Sequence, residues 1–112
     1  MKIDLTRTPD YLILTPRIAR LDASASIEFK RDLRGFCDRS SFERILLNLE
    51  DVRFLDSSGL GSIISVAKSL EPPKVLEISN LQPLVQKVFD LTNLARVFTI
   101  HDDANQLQKS AS

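Results

Sequence analysis

The segment with the most capacity for chemistry is residues 56–61, which reads Asp-Ser-Ser-Gly-Leu-Gly. Two hydroxyl groups, on Ser57 and Ser58, follow a carboxylate, and two glycines leave part of the backbone without side chains. A serine hydroxyl group can cap a helix, act as a nucleophile or accept a phosphoryl group. These three uses make different demands on the rest of the chain.

A nucleophilic role for Ser57 would need a general base close by. The one histidine, His101, lies near the end of the sequence, and the segment is not a Gly-x-Ser-x-Gly elbow. A nucleotide loop is also not indicated, because the Lys-Ser/Thr pair of such loops and the third glycine of a dinucleotide turn are absent. We therefore expect the chain not to be an enzyme, and a hydrolase that uses Ser57 is the third interpretation.

Capping and phosphorylation are the stronger interpretations of Ser57. The segment falls where an apolar strand passes into a helical pattern, so Ser57 or Ser58 is expected to cap the helix. A phosphate on Ser57 would add about −1.5 to −2 charges, which the helix N-terminus would attract and Asp56 would repel. Gly59 and Gly61 would let another molecule approach the backbone closely.

The composition indicates one ordinary globular domain over residues 1–112. Hydrophobic residues make up 43% of the chain and charged residues 27%, which is typical of proteins that fold around a core. The 15 basic and 15 acidic side chains cancel, so no net field draws the chain to nucleic acid or to an anionic membrane. Apolar runs are too short for membrane insertion, and the N-terminus has no secretory pattern. We expect a cytoplasmic protein.

Metal-binding side chains are scattered along the sequence. His101 and the single cysteine, Cys37, are far apart, without the clustered spacing of a zinc or iron site. His101 is followed by Asp102 and Asp103, and we interpret this group as the solvated start of a short helix. No metal and no cofactor are therefore expected.

The spacing of apolar residues predicts an α/β fold. The predicted order is strands at 3–5 and 11–15, a helix at 25–37, a strand at 45–49, a helix at 60–70, a strand at 74–78, a helix at 84–91 and an edge strand at 97–100. Asp22, Ser24 or Ser26 is expected to cap the first helix, Asn93 to close the third in a left-handed conformation, and the tail from 109 to fray. This order predicts a mixed β-sheet of four to five strands with helices packed on it.

A row of serines extends along the helix after Ser57. Ser58, Ser62, Ser65 and Ser69 recur at helical spacing. A solvated face would explain them, but we favour a docking face, because small side chains lose little rotamer entropy on contact. An arginine at position 62 or 65 is then predicted to weaken partner binding without lowering thermal stability.

Three segments together resemble the anti-sigma factor antagonists, a family of STAS domains. They are residues 47–52, 54–61 and 88–94, and the resemblance extends over nearly the whole chain. The Asp-Ser-Ser/Thr-Gly-Leu-Gly sequence after an apolar strand is fairly specific to that family, and a Phe-Asp-x-Thr/Ser-x-Leu segment follows at a matching distance. The resemblance implies a single STAS-like domain.

The resemblance also implies a regulatory cycle in which the serine after the aspartate, Ser57, is phosphorylated. Such a protein, when unphosphorylated, binds an anti-sigma factor that is itself a serine kinase, and the sigma factor is released. Phosphorylation ends the binding, and a serine phosphatase restores it, so that transcription is regulated by partner switching without catalysis. The alternative is a STAS-like scaffold or accessory subunit of a transporter or signalling complex, with no phosphorylation cycle. The oligomeric state is left open.

Residues 19–22 depart from the family pattern. The family usually has Gly-Glu-Leu/Ile-Asp there, whereas this chain has Ala-Arg-Leu-Asp, which keeps Asp22 and reverses the charge at Arg20. We expect Asp22 to complete a docking face with the serine row, and Asp56 and Ser58 to shape the surroundings of Ser57. Arg20 is a candidate partner for a phosphate on Ser57.

Overall fold

A computed structural model describes residues 1–109 of the chain. The strands are β1 (Ile3–Arg7), β2 (Tyr11–Pro16), β3 (Arg20–Leu21), β4 (Arg44–Asn48), β5 (Phe54–Leu55), β6 (Val75–Ser79) and β7 (Ile100–His101). The helices are α1 (Ala23–Arg39), α2 (Ser57–Ser69), α3 (Pro83–Leu91) and α4 (Ala104–Lys109), with a 3₁₀ helix at Leu94–Arg96. The expected fraying of the tail falls largely on residues 110–112, outside the described part of the chain.

The main sheet has five strands in the order β1-β2-β4-β6-β7. β1 and β2 form the predicted antiparallel hairpin, and the other neighbours are parallel, so the prediction of a mixed sheet is confirmed. The last strand is shorter and later than predicted, because the chain first makes the 3₁₀ helix Leu94–Arg96. A second, two-stranded parallel sheet of β3 and β5 was not predicted, since two residues are too few to show a period.

The two faces of the main sheet bury different clusters. Alternate residues of β2 and β4, such as Leu12 and Ile45, pack with the apolar sides of α1, α2 and α3 in the principal core. Tyr11, Ile13 and Leu46 point to the opposite face, where Ala104 of α4 lies against them. Both faces of the inner strands are thus covered, which explains why these strands are almost uniformly apolar.

The helix ends follow the predicted chemistry at Asp22 and Asn93. The side chain of Asp22 caps α1 by accepting from the backbone N–H of Ser24, and Pro83 occupies the first turn of α3. Asn93, with φ of 60°, takes the left-handed conformation expected after α3.

In the part of the chain that the structure describes, no helix is both long and apolar enough to span a bilayer.

A buried carboxylate connects four strands on the α4 side of the sheet. Glu77, only 3% exposed, accepts hydrogen bonds from the Tyr11 hydroxyl group (2.9 Å) and from Arg44 Nε (3.0 Å). His101 Nε2 lies 2.6 Å from Glu77 Oε1. The interpretation of His101 as a solvated residue is therefore wrong, because its ring is largely buried against Glu77. Asp103 directly precedes α4, and its carboxylate accepts from the backbone N–H of Asn105 in the first turn of that helix.

This network shifts the pKa values of Glu77 and Tyr11 in opposite directions. Burial alone would raise the pKa of Glu77, but the hydrogen bonds with Arg44, His101 and Tyr11 outweigh burial and leave the pKa below its ordinary value. Burial, and then the hydrogen bond to Glu77, raises the pKa of Tyr11 to about 12. The network is therefore most stable with a charged carboxylate and a neutral phenol.

Candidate functional site

The carboxylate of Asp56 caps two helices at once. Its Oδ1 atom accepts from the backbone N–H of Gly59 in α2 at 2.9 Å, and its Oδ2 atom accepts from the backbone N–H of Ala23 in α1 at 3.1 Å. The expectation that Ser57 or Ser58 caps α2 is wrong, because Asp56 is an equally good cap and stands one residue earlier. Asp56 thus brings the N-termini of α1 and α2 together.

Capping by Asp56 leaves the hydroxyl group of Ser57 unused. Ser57 is the first residue of α2, and both it and Ser58 are exposed. Within residues 1–109, neither hydroxyl group has a hydrogen-bond partner. The two hydroxyl groups are therefore open to a second molecule.

Gly59 has a structural role that the sequence analysis missed. It is buried, and a Cβ atom at this position would lie 2.1 Å from the carbonyl oxygen of Leu21 in β3 and 2.9 Å from Leu55 Cδ1 in β5. The expectation that Gly59 admits a second molecule is wrong, since the chain's own β3 already fills that space. Gly61 does fit the expectation, because it is exposed and a Cβ atom there would meet nothing within 4 Å.

The serine row on α2 is divided between the interior and the surface. Ser62 is 6% exposed, and its hydroxyl group donates to the carbonyl oxygens of Ser58 (3.0 Å) and Ser26 (3.2 Å), where α1 packs on α2. The assignment of Ser62 to an exposed docking face is wrong, because helical spacing does not show which side a neighbouring helix covers. An arginine at position 62 would therefore disturb the α1–α2 contact. For the partly exposed Ser65, the docking role stays a prediction.

Arg20 and Asp22 lie beside the capped helix ends. The Arg20 guanidinium group stacks 4.1 Å from the ring centroid of Phe54, and its Nε atom is 3.6 Å from Asp22 Oδ2. Hydrogen bonds from Ser24 lower the pKa of Asp22. Because β3 and β5 run in parallel, Asp22 and Asp56 follow neighbouring strand ends and share one surface with Ser57.

A separate ion-pair cluster surrounds Arg17. Its guanidinium group contacts Asp4 (2.7 Å), Glu50 (3.2 Å) and Asp51 (3.3 Å), which raises the pKa of Arg17, the hydrogen bond to Asp4 contributing most. Arg17 thus offsets part of the negative charge of the three carboxylates at this end of the sheet. Among residues 1–109, no group of three or more His, Cys, Asp or Glu side chains could hold a metal ion.

The chain is similar to known proteins in sequence and in fold. The family model of the STAS domain matches residues 2–107. The anti-sigma F factor antagonist of Paenibacillus polymyxa is 27% identical over 84 residues, which make up 74% of this chain and 72% of that protein.

Two solved structures are similar along their whole length. A candidate anti-sigma factor antagonist from Thermotoga maritima is 25% identical, with a TM-score of 0.82 over 97% of this chain and 93% of the other. The Bacillus cell fate determinant SpoIIAA, in its phosphorylated form, is 20% identical, with a TM-score of 0.67 over 97% and 99%. The predicted STAS-like fold is confirmed, and the chain belongs to the STAS domain family.

Proposed function

We propose that the chain is a cytoplasmic anti-sigma factor antagonist whose binding to a serine-kinase anti-sigma factor is switched off by phosphorylation of Ser57. The observation that carries the proposal is the free hydroxyl group of Ser57 in the exposed first turn of α2. Asp56 supplies the helix cap, so a phosphoryl group on Ser57 would not remove a bond that holds the fold.

The surroundings of Ser57 support access by a kinase. Ser58 and Gly61 are exposed on the same turn, and no side chain projects from Gly61. A kinase must bring the γ-phosphate of ATP in line with the attacking hydroxyl oxygen, which requires this open approach. Phosphorylation then transfers the γ-phosphoryl group to Ser57 Oγ, with release of ADP and the hydroxyl proton.

The comparisons support the same assignment by relationship. The Paenibacillus relative is named as an antagonist, and SpoIIAA is known in a phosphorylated form. By this relationship the unphosphorylated chain binds the kinase and frees the sigma factor, and a serine phosphatase restores the unphosphorylated state. Nucleic acid plays no direct part in this cycle.

The electrostatics of the site give the switch its direction. Asp22 and Asp56 already place two carboxylates near Ser57, and a phosphate would add about −1.5 to −2 further charges. A partner surface that fits the unphosphorylated site would then meet a strong excess of negative charge.

Arg20 is the nearby cation in our proposal, although it must leave Asp22 and Phe54 to pair with the phosphate. Arg20→Ala should change the affinities of both phospho-forms, and unchanged affinities would remove Arg20 from the proposal.

The proposal is tested by intact mass spectrometry after incubation with ATP and an anti-sigma factor kinase. We expect a gain of one phosphoryl group in the wild-type chain and in Ser58→Ala, and none in Ser57→Ala. The modified chain should then lose its affinity for the kinase. If an active kinase binds the chain without modifying it, the scaffold alternative is favoured; if a phosphoryl group appears in Ser57→Ala, the assignment of the residue is wrong.

A further inference from the structure

Helix α1 exposes a large apolar side chain on its outer surface. Ile27 is 81% exposed, whereas Phe29, Leu33 and Cys37 of the same helix are completely buried. A single exposed apolar residue is common on protein surfaces and has no meaning alone. Ile27 is notable for its neighbours, which connect it to the Ser57 region and give it a charged border.

A cavity between α1 and α2 connects Ile27 to Ser58, the residue after the proposed phosphorylation site. Ile27 and Lys30 line it from α1, and Ser58 and Gly61 line it from α2. Its volume of about 240 Å³ is smaller than the pockets that bind small molecules, and it suits the insertion of one side chain. The surface beside Ser57 thus extends onto α1 through Ser58 and Gly61.

The border of Ile27 is positively charged. Lys30, Arg31 and Arg34 follow it at helical spacing and line a shallow depression along α1, which ends at Asp38. Among the described residues, Lys30 and Arg34 have no ion-pair partner, and Arg31 lies 3.2 Å from Asp32.

Two of the three acidic residues of α1, Glu28 and Asp32, also face the chain's N-terminus, and the third, Asp38, stands at the far end of the depression. The carboxylates of Glu28 and Asp32 contact the amino group of Met1. The depression that Ile27 lines therefore keeps an excess of positive charge, although the whole chain has no net charge.

We propose that Ile27, Lys30 and Arg34 form a second part of the docking surface, and that they bind an acidic segment of the kinase partner carrying an apolar side chain. This inference rests on the proposed function and specifies the chemistry of the partner there. An apolar anchor surrounded by charges is a common arrangement in protein interfaces. A neutral or basic partner surface would desolvate Lys30 and Arg34 without offering them a counter-charge.

A protein partner fits this surface better than a phosphate-rich one. The same surface continues from Ser58 to the carboxylates of Asp56 and Asp22, which would repel DNA, RNA or an anionic membrane. A folded partner can place carboxylates opposite α1 and other groups opposite Asp56 and Asp22. This distribution of charge is the reason for choosing an acidic protein segment.

The test measures the affinity of the chain for each purified serine-kinase anti-sigma factor encoded in the source genome, by calorimetry at low and high salt. The variants are Ile27→Ser, Lys30→Glu and Arg34→Glu, with Lys68→Glu as the matched control. Lys68 undergoes the same charge reversal near the other end of α2, in a separate groove with Leu94 and Phe98. Urea unfolding of each variant checks that the fold is kept.

We expect each α1 variant to lower the affinity about tenfold or more and the control to change it less than about twofold. The salt dependence should be weaker in Lys30→Glu and Arg34→Glu than in the wild-type chain. If a kinase binds the chain and phosphorylates Ser57 but the α1 variants bind as the wild type does, the inference is wrong and the proposed function stands. If no kinase binds, or if phosphatidylserine vesicles or duplex DNA bind through the same residues instead, the inference and the proposed function are both overturned.

Discussion

Replacing Gly59 with alanine would force a methyl group into the backbone of β3. The added carbon would lie 2.1 Å from the Leu21 carbonyl oxygen, whereas even the closest favourable carbon–oxygen contacts are about 3.3 Å. The first turn of α2 and β3 must therefore separate by roughly 1 Å. The movement would also strain the two hydrogen bonds of Asp56 that tie α2 to α1.

The expected cost follows from two opposing terms. Overpacking against the rigid backbone costs about 3 kcal/mol, and the better helix propensity of alanine returns up to about 1 kcal/mol. Gly59→Ala should therefore lower the free energy of unfolding by about 2 kcal/mol. Gly61→Ala is the matched control, because its methyl group meets nothing within 4 Å. It should raise the free energy of unfolding by about 0.5–1 kcal/mol.

Urea unfolding followed by circular dichroism measures both variants, with equal slopes required for the comparison. The free energies of unfolding of the two variants should differ by about 2.5–3 kcal/mol, the sum of the two expected changes. Equal stabilities would refute the reasoning, because they would mean that α2 does not begin in close contact with β3. The two variants also separate effects on stability from effects on binding, because Gly61→Ala narrows the exposed approach to Ser57 without a steric clash inside the fold.

Three further predictions concern the charged groups. Asp56→Ala removes the cap from α1 and α2 together and should lower the free energy of unfolding by about 2 kcal/mol, while Asp56→Asn should lower it less, as thermal melts would show. Glu77→Gln should cost about 2 kcal/mol at neutral pH, since Tyr11, Arg44 and His101 lose a charged acceptor. The pKa of Glu77 is lower in the folded state than in the unfolded state, where it is about 4.3. The charged carboxylate therefore contributes fully to the free energy of unfolding above that value, and the contribution is lost as pH falls through the folded-state pKa. The urea midpoints of the wild type and of Glu77→Gln should converge in this acidic range. The pKa of Tyr11 is raised to about 12, so the neutral phenol stabilises the fold fully below about pH 10. This stabilisation is lost as pH rises from about 10 to about 12, and Tyr11→Phe should remove this alkaline dependence. A pH-independent difference between either variant and the wild type would contradict the assignment.

The sequence predicts those parts of the fold that local patterns encode. The apolar run at 45–49 and the helical spacing from Ala25 to Cys37 gave the correct element types, and Asn93 was correctly assigned to a left-handed conformation. The family motif also located the turn that carries Ser57.

The remainder depends on which elements meet in space. Nothing local distinguishes Gly59, which faces β3, from Gly61, which faces solvent, or shows that α1 covers Ser62. The cap of α2 is Asp56 and not a serine, and the Asp56 carboxylate also reaches the N-terminus of α1. Local sequence could not show this second contact, because α1 begins more than thirty residues earlier in the chain. The contact between Glu77 and His101 was missed for the same reason: the parallel pairing of β6 with β7 sets His101 opposite Ser79, on the same face of the sheet as Glu77 two residues earlier.

The attachment of α4 to the sheet gives the molecule two levels of stability. This six-residue helix is too short to persist alone. It is attached to the sheet through the apolar side chains of Ala104 and Leu107 and through the Asn80 side chain, which accepts from the backbone N–H of Ala104. Its backbone amides should therefore exchange with solvent by local opening, at a lower free energy than those of β4 in the centre of the sheet. Such an opening uncovers the α4 side of the sheet and leaves in place the opposite layer of helices, which carries Ser57.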